Sequence, residues 1–184
     1  KLLIIDELSL GLAPTIVELL LNMVREIHAQ GCTIILVEQS VNVALTIATR
    51  AYFMEKGEVR FEGPADELLE RGDILRSMFL EGAGGTATPA ARVHVKGEVE
   101  PPASDADRGT ILDVNGLTKS FGGISAVNDV TFDLRRGDIL GLIGPNGAGK
   151  TTIFDLLSGH LSPDSGRVTF EGHDVTTWRP DQRA

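Results

Sequence analysis

The chain has 184 residues, a hydrophobic content of 42% and a formal net charge of −9. That composition suits a globular protein with a real core, and the acidic balance argues against a nucleic-acid partner, which would favour a basic patch. No apolar run approaches the roughly 20 residues of a membrane-spanning helix. The length allows one domain or parts of two. With Lys1 rather than Met first, no visible leader and an apolar strand at the very start, the sequence is expected to be a piece of something longer.

Leu2-Leu3-Ile4-Ile5 is a continuous apolar run, expected as a strand buried on both faces of a parallel sheet. It ends in Asp6-Glu7, two acids where open α/β sheets bind ligands. They could equally be a strand leaving into solvent. Pro14 suits the first turn of a helix. Ile16, Leu20, Met23, Val24 and Ile27 then recur at helical spacing, with Met23 expected in the core, and Gly31 ends the run. Cys32 opens Cys-Thr-Ile-Ile-Leu-Val and is expected to be a buried, reduced strand cysteine. Thr33 to Val37 reads as a second buried strand with Glu38-Gln39 at its tip, completing a βαβ unit.

Ser40 is a candidate N-cap for a helix over Val41 to Ala48. Ala51 to Glu55 and Glu58 to Glu62 read as a hairpin around Lys56-Gly57. Short helices are expected after Pro64 and over Asp73 to Glu81. The Gly, Ala, Thr and Pro-rich stretch 82–109 reads as a flexible linker. Residues 110–184 open a new pattern, with antiparallel strands broken by Gly122-Gly123 and Arg135-Arg136-Gly137. A turn at Ser162 to Gly166, a strand over Val168 to Phe170 and a turn at Gly172-His173 follow.

Between them lies Gly144-Pro145-Asn146-Gly147-Ala148-Gly149-Lys150-Thr151-Thr152, which fits the phosphate-binding P-loop pattern. Asp138 to Ile143 before it reads as a buried strand, and Thr152 to Leu157 after it as an amphipathic helix starting near Gly149. That strand, loop and helix order is the geometry the motif requires. Glycines let consecutive N–H groups converge on phosphate oxygens, and the helix adds its positive end. Lys150 would reach the terminal phosphates, and the Thr151 hydroxyl would ligate Mg²⁺. In that company Asp6 becomes a second Mg²⁺ ligand and Glu7 a group that aligns or deprotonates water. The four histidines lack metal-ligand spacing and read as surface or capping residues. No Ser/His/Asp or Cys/His arrangement stands out.

Gly116-Leu117-Thr118-Lys119-Ser120-Phe121-Gly122-Gly123, Ala126 to Val130, Gly141 to Thr152 and Ser158-Gly159 resemble the start of an ABC transporter ATPase. More narrowly, they look like one ATPase subunit of the branched-chain amino acid importers. Asp6-Glu7-Leu8-Ser9-Leu10-Gly11-Leu12-Ala13-Pro14 and Val37-Glu38-Gln39-Ser40-Val41-Asn42 resemble the end of the other ATPase subunit. The resemblance implies an α/β P-loop NTPase of ABC type, with a parallel core sheet and an antiparallel β-subdomain. Residues 1–81 would be the C-terminal half of one ATPase domain and 110–184 the N-terminal half of a second, as in a fusion of the two subunits.

By the same resemblance, Phe121 would stack on adenine. Gly144, Asn146, Gly147, Ala148, Gly149, Lys150, Thr151 and Thr152 would hold ATP, and Thr151 and Asp6 would hold Mg²⁺. Glu7 would be the catalytic base, with Gln39 at the usual switch-histidine position. Leu8 stands where the family carries proline, which would loosen the turn. The signature motif is expected before Lys1, and the glutamine loop with its helical subdomain just past Ala184. Lacking the signature, the chain alone would turn over little or no ATP. The implied partners are membrane permease subunits, a second ATPase domain and, indirectly, a periplasmic or extracellular substrate-binding protein, with no nucleic acid. The implied location is peripheral, on the cytoplasmic face of the inner membrane. The alternatives are a tandem ABC protein acting on ribosomes or DNA, against which the acidic charge and Gly/Ala/Pro-rich linker speak, and a non-catalytic regulatory module. In such a parent Asp6 and Lys150 would belong to different domains, yet the two halves of this chain together supply nearly one nucleotide-binding core, circularly permuted and lacking its helical insert. Thr33 to Val37 is then expected between Ile139 to Ile143 and Leu2 to Ile5.

Overall fold

The computed structural model describes residues 1–70 and 108–183. The expected helix over Asp73 to Glu81, His94 and most of the expected linker lie outside them. The first half forms β1 (Leu2–Asp6), α1 (Pro14–Ala29), β2 (Thr33–Glu38), α2 (Val41–Ile47), β3 (Arg50–Glu55), β4 (Glu58–Pro64) and α3 (Ala65–Glu70). The second forms β5 (Thr110–Phe121), β6 (Ile124–Arg135), β7 (Ile139–Ile143), α4 (Lys150–Ser158), β8 (Ser165–Phe170), β9 (His173–Asp174) and α5 (Pro180–Arg183).

Strands from both halves share one five-stranded sheet in the order β1-β2-β7-β3-β4. β2 is parallel to both β1 and β7, as the sequence predicts, and β7 is also parallel to β3. The remaining strands form a four-stranded antiparallel sheet, β6-β5-β8-β9. Every residue of β2 and β7 is buried, and successive side chains serve opposite faces. Ile35, Val37, Leu140 and Leu142 point toward α4 and the antiparallel sheet. Ile34, Leu36, Ile139 and Ile143 pack with α1, α2 and α3. Two-sided burial explains the unbroken apolar runs of these central strands. Arg50 on β3 pairs with Asp133 on β6 at 3.3 Å, tying the two sheets together.

Three expectations are corrected. β1 is an edge strand, half-buried at all five positions, because among the described residues only β2 pairs with it. Met23 is exposed, as are Ile16 and Leu19, whereas Val24 is buried and is joined there by Val17 and Leu21. The helix carries apolar residues almost all round over Ile16 to Val24, so spacing cannot select its core face. Cys32 lies one residue before β2 and is only half-buried.

The remaining punctuation follows the chemistry of the residues. Ser40 caps α2 by accepting from the Val43 N–H at 3.5 Å. His28 bonds the Gly137 carbonyl at 2.8 Å, pinning the turn that feeds β7. Of the expected linker, Arg108 pairs with the buried Asp138, and Gly109 accepts from the Arg136 N–H. α5 is not anticipated from sequence, and the turn before β9 falls on Glu171-Gly172.

Candidate nucleotide site

Three parallel strands deliver their C-terminal tips to one place, the usual ligand position of an open α/β sheet. Register keeps the tips level, with Asp6 opposite Val37 and Glu38 opposite Ile143. Past Ile143 the chain turns through Gly144 to Gly149 into α4, whose N-cap is Gly149 at φ 97°. A side chain at Gly144 would strike the Met54 carbonyl, and one at Gly149 would strike the Ala126 carbonyl of β6. The loop is therefore packed against two backbones. The β3–β4 turn braces it further, since the Gly57 N–H donates to the Ala148 carbonyl at 3.0 Å. Asn146 and Gly147 are exposed, Ala148 is buried, and Thr151 and Thr152 open the first turn of α4, Thr151 exposed and Thr152 partly so.

Lys150 is 4% exposed, and its Nζ donates to the Pro145 carbonyl at 3.0 Å. The ammonium is thus folded over the loop it belongs to. Burial pulls its pKa down, while the charges of Glu7, Asp6 and Glu38 oppose that shift. The Asp6 carboxyl is pushed up, first by burial and then by Glu7, with Lys150 working against the rise. These reciprocal effects bring Asp6, Glu7 and Lys150, drawn from both halves of the sequence, into one site. Leu8 packs against the helix-side core, and the turn it was expected to loosen is closed by Leu10 N–H to the Glu7 carbonyl at 3.2 Å and Leu12 N–H to the Ser9 carbonyl at 3.3 Å.

Glu7 holds a left-handed backbone at φ 49°, uncommon for a residue other than glycine. Its N–H is fixed on the Val37 carbonyl at 2.9 Å. Gln39 is exposed at the β2 tip. Phe121 is 47% exposed at the β5–β6 hairpin tip, with Lys119 Nζ 5.7 Å from its ring centre. Further along the same β6 strand, Ala126 backs Gly149, so the hairpin and the glycine loop are neighbours.

Asp6 Oδ1 is buried without a hydrogen-bond partner. An orphaned, desolvated carboxylate oxygen suits a hard cation that takes oxygen ligands. The exposed Thr151 hydroxyl adds a second oxygen of the right kind. Among the described residues no cluster of three or more His, Cys, Asp or Glu could hold a metal. Mg²⁺ commonly binds through one or two protein groups, water and phosphate.

One member of the site has no role in the sequence reading. Glu38 is 1% exposed and accepts from both the Ser9 N–H and the Ser9 hydroxyl, each at 2.9 Å. The signal was available, since a charged residue closing a wholly apolar strand needs a buried partner.

Strand, glycine loop and helix, with acids on a nearby parallel strand, define a P-loop nucleotide-binding core of ABC type. Residues 127–184 match the sequence profile of the ABC transporter family. An ABC transporter ATP-binding protein of Azorhizobium caulinodans is 52% identical over 69 residues, 38% of this chain and 25% of that protein. One from Methanosarcina acetivorans is 28% identical over 177 residues, 96% of this chain and 31% of that protein. The crystal structure of a nucleotide-free ATP-binding cassette from an ABC transporter is 38% identical, covering 40% of this chain and 29% of that one with a TM-score of 0.40. Residues 127–184 thus carry the ABC transporter family's profile, and the chain is similar to ABC transporter ATP-binding proteins. It spans between a quarter and a third of the length of these curated relatives.

Proposed function

We propose that this chain binds ATP with Mg²⁺ and is part of a longer ATPase that energises import of branched-chain or related amino acids. The convergence of Asp6, Glu7 and Lys150 carries this reading. Backbone N–H groups of Gly144 to Thr152 and the Lys150 ammonium would hold the phosphates, a task of positioning and charge neutralisation. Thr151 and Asp6 would hold Mg²⁺, which when bound neutralises phosphate charge. Glu7 would align the attacking water, Gln39 would face the terminal phosphate, and Phe121 would stack on adenine.

The amino acid cargo rests on the resemblance of Asp6 to Pro14 and Val37 to Asn42 to the importer subunits. On this reading residues 1–81 and 110–184 are halves of two ATPase domains joined by 82–109, so Asp6 and Lys150 would serve different domains of the longer protein and share one site in this chain. One alignment that covers 96% of the chain within a single relative supports that order. The partners are permease subunits, a second ATPase domain and, indirectly, a substrate-binding protein, with the chain at the cytoplasmic face of the inner membrane.

Calorimetric titration of ATP with Mg²⁺ into the chain tests the reading. Loss of charged hydrogen bonds at Lys150→Ala should weaken binding about 10- to 100-fold, and Asp6→Asn should weaken it as well. If Asp6→Asn changes nothing, the two halves do not form a composite site. No binding by the unsubstituted chain overturns the reading.

A further inference from the structure

Glu38 is the buried charge on which three loops meet. Its carboxylate takes both donors of Ser9 at 2.9 Å and lies 3.5 Å from the Ser40 N–H, while its own carbonyl accepts from the Gly144 N–H at 3.3 Å. Those contacts reach the segments leaving β1, β2 and β7. A carboxylate this deep is tolerable only when its lone pairs are filled, and here Ser9 fills one on each oxygen.

The segment so held is the one that bears the acids. Glu7 is anchored before the clamp by its N–H on Val37, and Ser9 just after it by Glu38. Between the two anchors Glu7 keeps its φ of 49°, a conformation that persists only when the surroundings over-determine it. Asp6, with its unpartnered Oδ1, is the residue immediately before this clamped stretch.

We propose that Glu38 is a positioning residue, whose two-point hold on Ser9 fixes the Glu7–Ser9 segment and so preorganises the adjoining Asp6 for a nucleotide-bound Mg²⁺. The inference rests on the nucleotide reading above and assigns Glu38 no contact with nucleotide. The hold on Ser9 is geometric and does not itself require the charge. Glutamine can still accept from the Ser9 N–H and donate to the Ser9 hydroxyl.

The test uses a fluorescent ATP analogue titrated with and without Mg²⁺ into the unsubstituted chain, Glu38→Ala, Glu38→Gln and Ser9→Ala, with thermal melts alongside. Glu38→Ala should lose about 10-fold of the Mg²⁺-dependent gain in affinity, the usual scale for partners that orient a metal ligand. Its Mg²⁺-free affinity should not fall, since the change only removes a negative charge that acts on Lys150. Ser9→Ala, which leaves the core intact, should lose part of the same gain, and Glu38→Gln should keep most of it. A merely structural Glu38 would lower both affinities together, and that result overturns the proposal, as does a Glu38→Gln that behaves like Glu38→Ala. Amide hydrogen exchange keeps the inference separate from the nucleotide reading. Even if the chain binds no ATP, Glu38→Ala should speed exchange at residues 7–12 by about tenfold while β2 and β7 stay protected. Unchanged exchange there overturns it.

Discussion

The Lys150 ammonium and the Asp6 carboxylate, one from each half of the chain, act on each other across a single site, where each is held away from its ordinary pKa chiefly by burial. Among the described residues, neither makes a direct ion pair. Lys150 is turned onto the Pro145 carbonyl and Asp6 keeps a bare oxygen. Both groups are thus available to a ligand that carries negative phosphate and a divalent cation.

A stability dependence on pH follows from the raised pKa of Asp6. A carboxyl whose folded pKa exceeds its unfolded value contributes stability that is fully present below the unfolded pKa, here 3.8, and lost as pH rises through the folded one. Without metal, Asp6→Asn should therefore melt higher than the unsubstituted chain at neutral pH. The advantage should shrink as pH falls toward the carboxylate range. Melts in chelator across pH 4 to about 8 would show it, and an Asp6→Asn that melts lower throughout would contradict the assignment of Asp6 as a desolvated, unpaired acid.

The glycine loop offers a contrast between two substitutions. Gly147→Ala and Gly149→Ala both place a side chain at positive φ, 79° and 97°, a cost of roughly 1–2 kcal/mol each. The new side chain at Gly147 meets nothing, whereas at Gly149 it meets the Ala126 carbonyl. Urea unfolding should show Gly149→Ala as clearly the worse of the two. Equal losses would mean that the loop does not rest on β6.

On α1, Leu21→Ala should cost about 2–5 kcal/mol, as large-to-small changes in a closed core do. Met23→Ala, at a position 51% exposed, should stay within about 0.5 kcal/mol. The reverse ranking in denaturant melts would restore Met23 to the core.

The parts of the molecule that can be read from sequence are those where local chemistry is decisive. The P-loop announces itself because few residue types allow its backbone, and the unbroken runs of β2 and β7 because burial on two faces needs apolar residues throughout. The place of β2 between β1 and β7 follows from the resemblance to a P-loop fold, once the acids of Asp6-Glu7 and the glycine loop are taken as parts of one core. The face of α1, the edge position of β1 and the clamp at Glu38 could not be read so well. Each depends on which neighbour arrives from elsewhere in the chain, and α1 in particular is apolar on more sides than it can bury. α5 escapes notice because four residues carry no periodicity.

The insertion of β7 between β2 and β3 also bears on how the molecule comes into being. As the chain leaves the ribosome, β2 and β3 are both complete long before the strand that belongs between them exists. Among the described residues nothing else covers those two edges, and an uncovered apolar edge is a template for pairing with the wrong chain. Closing the sheet must wait for a contact of long sequence separation, which slows folding. The central strand of the sheet is therefore also the last strand of that sheet to be made, and the protein depends on keeping its first half out of trouble until then.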